Sequence, residues 1–249
     1  MSHARADWIL PDWPAPRNVR ACVTTRHGGS SVAPYASFNL GDHVGDAPLA
    51  VSRNRECLQR LLGCEPAWMN QVHSSDVVEA SPHGRPTADA SWTAKVGVAC
   101  AVLTADCLPV LFCNREGTRV AAAHAGWRGL AGGVLEATVT AMQTPGAKLM
   151  AWLGPAIGPA AFEVGAEVRE AFVSQHAEAV DAFSPSRNPG RFMADIYRLA
   201  GIRLADCGVT AIYGGGLCTV TDPRFYSYRR AAQTGRFASL VWLEQAIPA

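Results

Sequence analysis

Two apolar runs flank a polar turn in the stretch Thr104-Ala-Asp-Cys-Leu-Pro-Val-Leu-Phe-Cys-Asn-Arg-Glu-Gly-Thr-Arg-Val-Ala-Ala-Ala-His-Ala-Gly-Trp-Arg-Gly129. The runs Leu108–Cys113 and Arg119–His124 are rich in apolar residues and predict two strands. Asn114-Arg-Glu-Gly117 lies between them, and glycine at its last position is typical of a tight turn. The stretch therefore predicts an antiparallel β-hairpin closed by a four-residue loop.

The register of this hairpin is expected to bring a cysteine and a histidine together. A loop of residues 114–117 pairs Cys113 with Thr118 and, further along, Cys107 with His124. Directly opposed side chains share one face of a sheet, with Cβ atoms about 4.5–5.5 Å apart. A zinc ion with bonds of about 2.0–2.3 Å to nitrogen and sulfur fits between them. The inference depends on the register, because a slip of one residue would place the two side chains on opposite faces.

A zinc site needs a third protein ligand, and His73 is the best candidate. It follows a predicted strand and precedes small polar residues in Met69-Asn-Gln-Val-His-Ser-Ser-Asp76. One cysteine and two histidines leave a coordination position open, which is typical of catalytic rather than structural zinc. The pair also suits a cysteine hydrolase, with Cys107 as nucleophile and His124 as base. An inert buried cysteine and a structural histidine are the plain alternatives.

The rest of the chain mixes strand and helix patterns without strict alternation, and it contains neither G-x-G-x-x-G nor a P-loop motif. These patterns predict the α+β class, with mixed β-sheets covered by helices rather than a doubly wound parallel sheet. The other predicted strands are Val19–Thr25, Trp68–Val72, Val77–Ala80, Val98–Thr104, Lys148–Leu153, Val209–Tyr213 and Phe225–Tyr228. Helices are predicted over Leu49–Leu62, Gly129–Gln143, Ala166–Ala177 and Ala194–Asp206, and a surface loop over Ser184–Gly190.

Composition and charge exclude several classes of protein. The 249 residues are 49% apolar, which excludes wholesale disorder. Lys and Arg number 22 against 21 Asp and Glu and form no cluster, so no nucleic-acid partner is expected. No secretory signal is evident in residues 1–11, and Asp106 and Pro109 interrupt the longest apolar stretch, so no membrane partner is expected. Eight cysteines without a C-x-x-C pattern fit reduced thiols in the cytoplasm, and no obligate protein partner is indicated.

Nine short motifs lie in order along most of the chain. They are Thr24-Thr-Arg-His-Gly-Gly29, Ser37-Phe-Asn-Leu-Gly-Asp-His-Val-Gly-Asp46, Asn54-Arg55, Gln71-Val-His73, Thr104-Ala-Asp-Cys-Leu-Pro109, His124-Ala-Gly-Trp-Arg-Gly129, Leu153-Gly-Pro-Ala-Ile-Gly158, Tyr226-Ser-Tyr-Arg-Arg230 and Thr234-Gly-Arg236. In these motifs the sequence resembles the YfiH or laccase-domain family, also described as multicopper polyphenol oxidoreductases and as peptidoglycan editing factors. One departure is visible at Ala160-Ala161, where relatives often carry a cysteine.

The resemblance implies both a fold and an activity. The fold is a single domain over residues 1–249 with four α/β/β/α layers, and the metal ligands are His73, Cys107 and His124. The implied activity is a purine nucleoside phosphorylase that acts on adenosine, inosine, guanosine and methylthioadenosine and that also deaminates adenosine. Purine nucleosides and phosphate are then the expected partners, with Cys107 and His124 as the catalytic pair.

Zinc is the expected metal, although copper remains possible. A trinuclear copper cluster needs several closely spaced histidines, whereas this chain has seven histidines, no two of which are closer than ten positions. A single Cu²⁺ could still occupy a site built for zinc, because copper binds such ligands more tightly. A copper-loaded polyphenol oxidase therefore stays an alternative.

Phosphorolysis also requires groups that bind phosphate and ribose. Arg26, His43 and Arg229 lie in the family motifs and are the candidate phosphate ligands, since the arginine fork matches the anion. Ser37 and Asn39 could orient ribose hydroxyls, or they could form turns in their Gly- and Asp-rich loop.

Two further arginines and one carboxylate are weaker candidates. Arg128 and Arg55 could bind phosphate but could equally be structural, and Asp106 is expected to support the site rather than act as a base. Two other functions stay open. One is a Cys–His hydrolase acting in peptidoglycan editing, and the other is a non-enzymatic partner of cell-wall synthesis.

Overall fold

The computed structural model describes residues 7–245. Residues 1–6 lie outside the described residues. They include part of the stretch, residues 1–11, in which the sequence shows no secretory signal. The helices are α1 (Pro48–Leu62), α2 (Trp127–Ala131), α3 (Val134–Ala141), α4 (Ala166–Val173) and α5 (Ile196–Asp206), with 3₁₀ turns at Gly146–Lys148 and Ala177–Ala182. The strands are β1 (Val19–Val23), β2 (Glu65–Ala67), β3 (Val77–Glu79), β4 (Ala90–Thr93), β5 (Val98–Thr104), β6 (Leu108–Asn114), β7 (Val120–Ala125), β8 (Leu149–Leu153), β9 (Glu163–Gly165), β10 (Phe183–Pro185), β11 (Arg191–Ala194), β12 (Ala211–Gly214) and β13 (Phe237–Leu243).

The strands form two mixed sheets and one small antiparallel sheet. The four-stranded sheet has the order β1-β13-β5-β2, and the six-stranded sheet has the order β12-β8-β6-β7-β4-β3. Most neighbours are antiparallel, but β2 runs parallel to β5, β3 to β4, and β12 to β8. The predicted α+β class with mixed sheets is confirmed. The assignment of residues 1–249 to one domain stays a prediction.

The two large sheets pack face to face, and helices cover their outer faces. Val102 and Val241 of the four-stranded sheet share one core with Leu111 and Val120 of the six-stranded sheet. Leu58 of α1 packs on the opposite face of the four-stranded sheet, and helices α3, α4 and α5 pack on the opposite face of the six-stranded sheet. This order is consistent with α/β/β/α layers. It also explains why β5, β6 and β13 are buried along their whole length, since strands covered on both faces are nearly continuous apolar runs.

Some predicted elements are wrong, and others were missed. Residues 68–72 and 225–228 are not strands, and the first two residues of the predicted surface loop, 184 and 185, belong to β10. The single helix predicted over Gly129–Gln143 is divided into α2 and α3, because Gly133 has a φ of 93° and interrupts the helical backbone. In the described part of the chain, no helix has the length and apolar character that a membrane crossing demands.

The central hairpin forms, but its predicted register is wrong by two positions. Cys113 pairs with Val120, and His124 pairs with Pro109 rather than with Cys107. Asn114 causes the difference, because it belongs to the strand and its backbone N–H donates to the carbonyl of Arg119. The loop is therefore residues 115–118 rather than 114–117. Because a shift of two residues preserves the face of the sheet, Cys107 still lies on the same side as His124.

Candidate metal centre

Three side chains from separate parts of the chain converge where the central strands of the six-stranded sheet, β6 and β7, begin and end. His73 lies in the loop between β2 and β3, Cys107 directly precedes β6, and His124 is in β7. Their ligating atoms all lie within 4.8 Å of one another. Cys107 Sγ is 3.7 Å from His73 Nε2. Bonds of about 2.3 and 2.0 Å at a tetrahedral angle would place sulfur and nitrogen about 3.5 Å apart, so the donor set and its spacing fit zinc.

Asp89, a residue that the sequence reasoning did not identify, lies directly behind His124. It immediately precedes β4, and its carbonyl accepts a hydrogen bond from the backbone N–H of His124 at 2.7 Å. Its Oδ1 lies 2.8 Å from His124 Nδ1. This contact leaves Nε2 of His124 free to face Cys107 and His73, as in other metal-binding histidines. Strand β4 has only four residues and was not predicted from the sequence. Nothing in the sequence therefore placed Asp89 opposite His124.

The same carboxylate holds the loop that carries His73. Asp89 accepts hydrogen bonds from the backbone N–H groups of Val72, His73 and Ser74 at 3.1, 2.9 and 2.7 Å. The Ser74 hydroxyl adds a fourth at 3.0 Å. His73 has a φ of 63°, an uncommon conformation for a non-glycine residue. The Asp89 contacts stabilise this turn and with it the position of the His73 ring.

Charges at the centre shift three pKa values. Burial opposes ionisation of Asp89, but hydrogen bonds from His124 and the Ser74 backbone outweigh it and lower its pKa to about 2. Burial likewise disfavours the Cys107 thiolate, yet His124 and His73 lower the pKa of that thiol to about 6. Burial would lower the pKa of His124, but Cys107 and Asp89 raise it to about 9. The cysteine therefore has the thiolate character that metal ligation requires.

Two backbone features bring Cys107 into place. Asp106 has a φ of 93°, and its carboxylate accepts hydrogen bonds from the Thr219 hydroxyl at 2.6 Å and the Arg229 N–H at 2.7 Å. These contacts match the expected supporting role of Asp106. Gly126 provides space, since a Cβ there would lie 2.9 Å from Cys107 Sγ and 2.8 Å from His73 Cδ2.

The three side chains open into a cavity of about 480 Å³. Its lining combines apolar and aromatic residues with cationic and titratable ones. The apolar and aromatic lining residues include Trp127, Ile157, Phe162 and Tyr228. The basic lining residues are His43, Arg128, Arg229 and Arg236.

The structure places only two of the five predicted phosphate and ribose contacts in this cavity. His43 and Arg229 line it, whereas Arg26, Ser37 and Asn39 do not. Arg26 donates from Nε to the carbonyl of Ala36 at 2.9 Å and stacks on a tyrosine ring. Ser37 Oγ donates to the carbonyl of Arg26 at 3.0 Å.

Asn39 is fully buried and has an internal role. It donates to the carboxylate of Asp46 at 2.9 Å and accepts from the backbone of Gly41 and Arg236. The polar groups of Asn39 and Ser37, and Nε of Arg26, are thus used in holding loops together, which is the turn alternative raised for Ser37 and Asn39 from sequence. Arg55 also lies outside the cavity lining, where it stacks on Trp68.

Arg236 was missed as a cavity residue, although it ends one of the quoted motifs. Its guanidinium donates to the carbonyls of Thr234 and Gly235 at 3.1 and 3.0 Å, and its side chain lines the cavity. Burial and the positive charge of Arg236 lower the pKa of His43. The two side chains therefore lie close enough to interact electrostatically within the same cavity lining. Only the folding of β13 next to the Asn39 loop brings Arg236 to this position, and β13 was not predicted.

A second group of potential metal ligands does not fit a metal ion. It consists of His176, Glu178 and Asp206. His176 Nδ1 lies 2.9 Å from Asp206 Oδ2, and its Nε2 lies 2.9 Å from Arg203 Nη1. Because arginine can only donate, Nε2 is the acceptor and Nδ1 carries the proton. Neither ring nitrogen has a lone pair left, and a guanidinium cation stands where a metal would approach.

The mixed-sheet fold is shared with solved structures of other proteins. The family model described as multi-copper polyphenol oxidoreductase laccase matches residues 20–244. The chain therefore belongs to this family, and the resemblance stated from its motifs is confirmed.

Individual relatives are similar over almost their whole length. Purine nucleoside phosphorylase PA4543 of Pseudomonas aeruginosa is 67% identical over 238 residues, covering 95% of this chain and 98% of that protein. Purine nucleoside phosphorylase YfiH of Escherichia coli is 53% identical over 240 residues, covering 94% and 98%. The crystal structure of Neisseria meningitidis protein NMB0706 has a TM-score of 0.93 and 54% identity, covering 96% of this chain and 99% of that one.

Proposed function

We propose that this protein is a zinc-dependent purine nucleoside phosphorylase that acts in the cytoplasm. The observation that carries the proposal is the opening of the His73–Cys107–His124 group into a cavity lined by both basic and aromatic residues. Basic groups suit inorganic phosphate, and aromatic walls suit a purine base. The names of the two curated relatives support the same activity.

Zinc would be held by His73 Nε2, Cys107 Sγ and His124 Nε2. One thiolate and two imidazoles are donors that zinc prefers, and three protein ligands are typical of catalytic sites. When bound, zinc would supply Lewis-acid polarisation of a substrate atom or of water. Copper would accept the same donors, so a copper-loaded polyphenol oxidase remains the alternative occupant and activity.

The chain's own residues would bind and orient the two substrates. His43, Arg229 and Arg236, with Arg128 near them, would hold phosphate for attack on C1′ of the ribose. The bond from C1′ to a phosphate oxygen would form while the bond from C1′ to purine N9 breaks, and the departing base would take up the proton that the attacking phosphate gives up. Trp127 and the other aromatic walls would hold the base, so positioning and electrostatics would lower most of the barrier.

The proposed substrates are adenosine, inosine, guanosine and methylthioadenosine. The cavity offers stacking surfaces and basic groups, which suit the shared purine and phosphate parts of these reactions. We also propose adenosine deamination as a second activity of the same centre, in which water would add at C6 of the purine and the amino group would leave as ammonia. A zinc site with an open position would supply the activation of that water.

A Cys–His hydrolase is the second candidate function. The close Cys107–His73–His124 arrangement and the lowered pKa of Cys107 favour it, since a thiolate beside an imidazole is an activated nucleophile. In that case Cys107 would attack a carbonyl carbon and could not at the same time be a metal ligand. Stoichiometric zinc would therefore argue against the hydrolase.

Product analysis tests these proposals together. Adenosine is incubated with the zinc-loaded protein, with and without phosphate, beside the Cys107→Ala variant. The expected products are adenine and ribose 1-phosphate, formed only with phosphate and lost in the variant, with inosine as the product of deamination. Absence of both products while zinc is bound would refute the nucleoside activities.

A further inference from the structure

The Asp89 side chain has more hydrogen-bond partners than any ordinary surface carboxylate needs. It is completely buried. Oδ1 contacts His124 Nδ1 and the His73 N–H, and Oδ2 accepts from the N–H groups of Val72 and Ser74 and from the Ser74 hydroxyl. A carboxylate has about four lone-pair directions, so five donors saturate it.

These donors belong to two of the three metal-ligating residues or to their immediate neighbours. His124 is held twice, because Asp89 accepts from its backbone N–H as well as from its ring. His73 is held through its own N–H and those of the residues on either side. Cys107 has a separate support, since Asp106 before it is tied to Thr219 and Arg229. Asp89 therefore fixes the two histidines and leaves the cysteine to another element.

We propose that Asp89 is a positioning residue that assembles the two histidine ligands before the metal binds and thereby sets the metal affinity of the site. This inference rests on the proposed function, in which His73, Cys107 and His124 hold zinc. Asp89 does not touch the metal or the substrate in this arrangement. It acts by fixing which nitrogen of His124 faces the centre and where the His73 loop stands.

The Asp89→Asn variant removes this role with almost no change in side-chain volume. An amide has one acceptor oxygen and one donor NH₂ group, and every group around Asp89 is a donor toward it. In either orientation the NH₂ group would face N–H or O–H donors, from the histidine side or from the Ser74 side. The two histidines would lose their common anchor, while Cys107 would keep its own.

The experiment measures metal binding rather than activity. Zinc affinity of the full chain is determined by competition with a chromophoric chelator, for the wild type and for Asp89→Asn. Loss of a carboxylate that supports metal-ligating histidines is expected to weaken zinc binding about 10–100-fold. Asp46→Asn is the matched control, because Asp46 is buried and accepts hydrogen bonds from Asn39 and Ala47 away from the metal ligands. We expect this control to bind zinc within twofold of the wild type.

Cobalt substitution separates a positioning role from general loss of structure. In the Co²⁺-loaded Asp89→Asn variant, the sulfur-to-metal charge-transfer band is expected to persist, because the Cys107 support is intact. The d–d bands, which report ligand geometry, should change in intensity and position. A merely structural role would lower folding stability without this selective spectral change.

Each outcome decides the inference. Unchanged zinc affinity and cobalt spectrum in Asp89→Asn, with a wild type that binds zinc tightly, would overturn it and leave the proposed function standing. A wild type that binds neither metal stoichiometrically would overturn both. If Asp89→Asn does not fold, Ser74→Ala decides, since it removes one donor to the same carboxylate. A weakening of about two- to fivefold would support the inference, and no change would overturn it.

Discussion

Two groups of side chains in residues 7–245 have the donor types and spacing of a metal site, yet their hydrogen bonds give them opposite character. In the first, His124 donates from Nδ1 to Asp89 and keeps Nε2 for a ligand. In the second, His176 uses Nδ1 toward Asp206 and Nε2 toward Arg203. The first group presents metal-ligating atoms to a cavity, and the ligating atoms of the histidine in the second group are used in an ion-pair network.

In both groups Nδ1 of the histidine contacts a carboxylate, and the groups differ in the partner of Nε2. The difference shows that this partner matters as much as the identity of the ligands. A carboxylate behind a histidine directs the other nitrogen outward and favours a bound cation. An arginine in front of a histidine occupies that nitrogen and repels a cation. Both groups consist of residue types that can ligate a metal and that lie within bonding range of one another, so residue type and spacing alone could not tell them apart.

The largest expected effect comes from removing Cys107 from the first group, and the matching change in the second group is its control. Cys107→Ala should reduce zinc affinity about a thousandfold, because one of three ligands supplies roughly a third of a binding free energy of about 10–16 kcal/mol. His176→Gln should leave zinc affinity and stoichiometry unchanged. Metal analysis after gel filtration measures both, and the comparison fails if His176→Gln also loses zinc.

Thiol reactivity should distinguish the metal centre from the core. In zinc-depleted protein, alkylation of Cys107 should rise with pH through a midpoint near 6, since the thiolate reacts and the pKa of Cys107 is about 6. Burial raises the pKa of Cys100 and Cys113 to about 12, so they should react at least about thirtyfold more slowly at pH 7.5, even after allowing for their greater intrinsic nucleophilicity. Peptide mass spectrometry after iodoacetamide treatment gives the rates. Bound zinc should protect Cys107, and a Cys107 midpoint near 9 would contradict the expected ion pair.

The metal centre shows how far sequence reasoning can reach. Cys107 and His124, two of the three candidate ligands, could be brought together from the sequence because Cys107 directly precedes β6 and His124 lies in β7. These strongly apolar strands form one hairpin, and even a two-residue error in its register preserves the face. Asp89 and Arg236 could not be inferred, because β4 and β13 were not predicted and their partners are remote in sequence. The assignment of Arg26, Ser37 and Asn39 to phosphate and ribose found no support in the structure, since motif membership does not distinguish a ligand contact from a loop hydrogen bond.

The second group should contribute to stability instead of chemistry. Arg203 is buried, forms an ion pair with Glu136, and donates to Gln175 Oε1 at 2.8 Å. Arg203→Met should lower the free energy of unfolding by about 3 kcal/mol, because Glu136 would be left without its partner. Zinc affinity should not change. Urea unfolding of the zinc-depleted protein measures the loss, and the added change Glu136→Gln should restore part of it. A variant that lost zinc binding without losing stability would reverse the roles assigned to the two groups.

The smallest effect tests how tightly the metal centre is packed. Gly126→Ala should weaken zinc binding about tenfold, because the new Cβ would stand 2.8–2.9 Å from His73 and Cys107 and would force both ligands to move. Gly201→Ala is the matched control: Gly201 lies in α5 with nothing within 4 Å of an added Cβ. That control should raise the free energy of unfolding by about 0.5–1 kcal/mol, the ordinary gain from alanine inside a helix, and should leave zinc affinity unchanged. Equal zinc affinities in the two variants would mean that the centre tolerates displacement of its ligands. The contrast with the second group would then depend on free nitrogen lone pairs alone and not on a rigid arrangement.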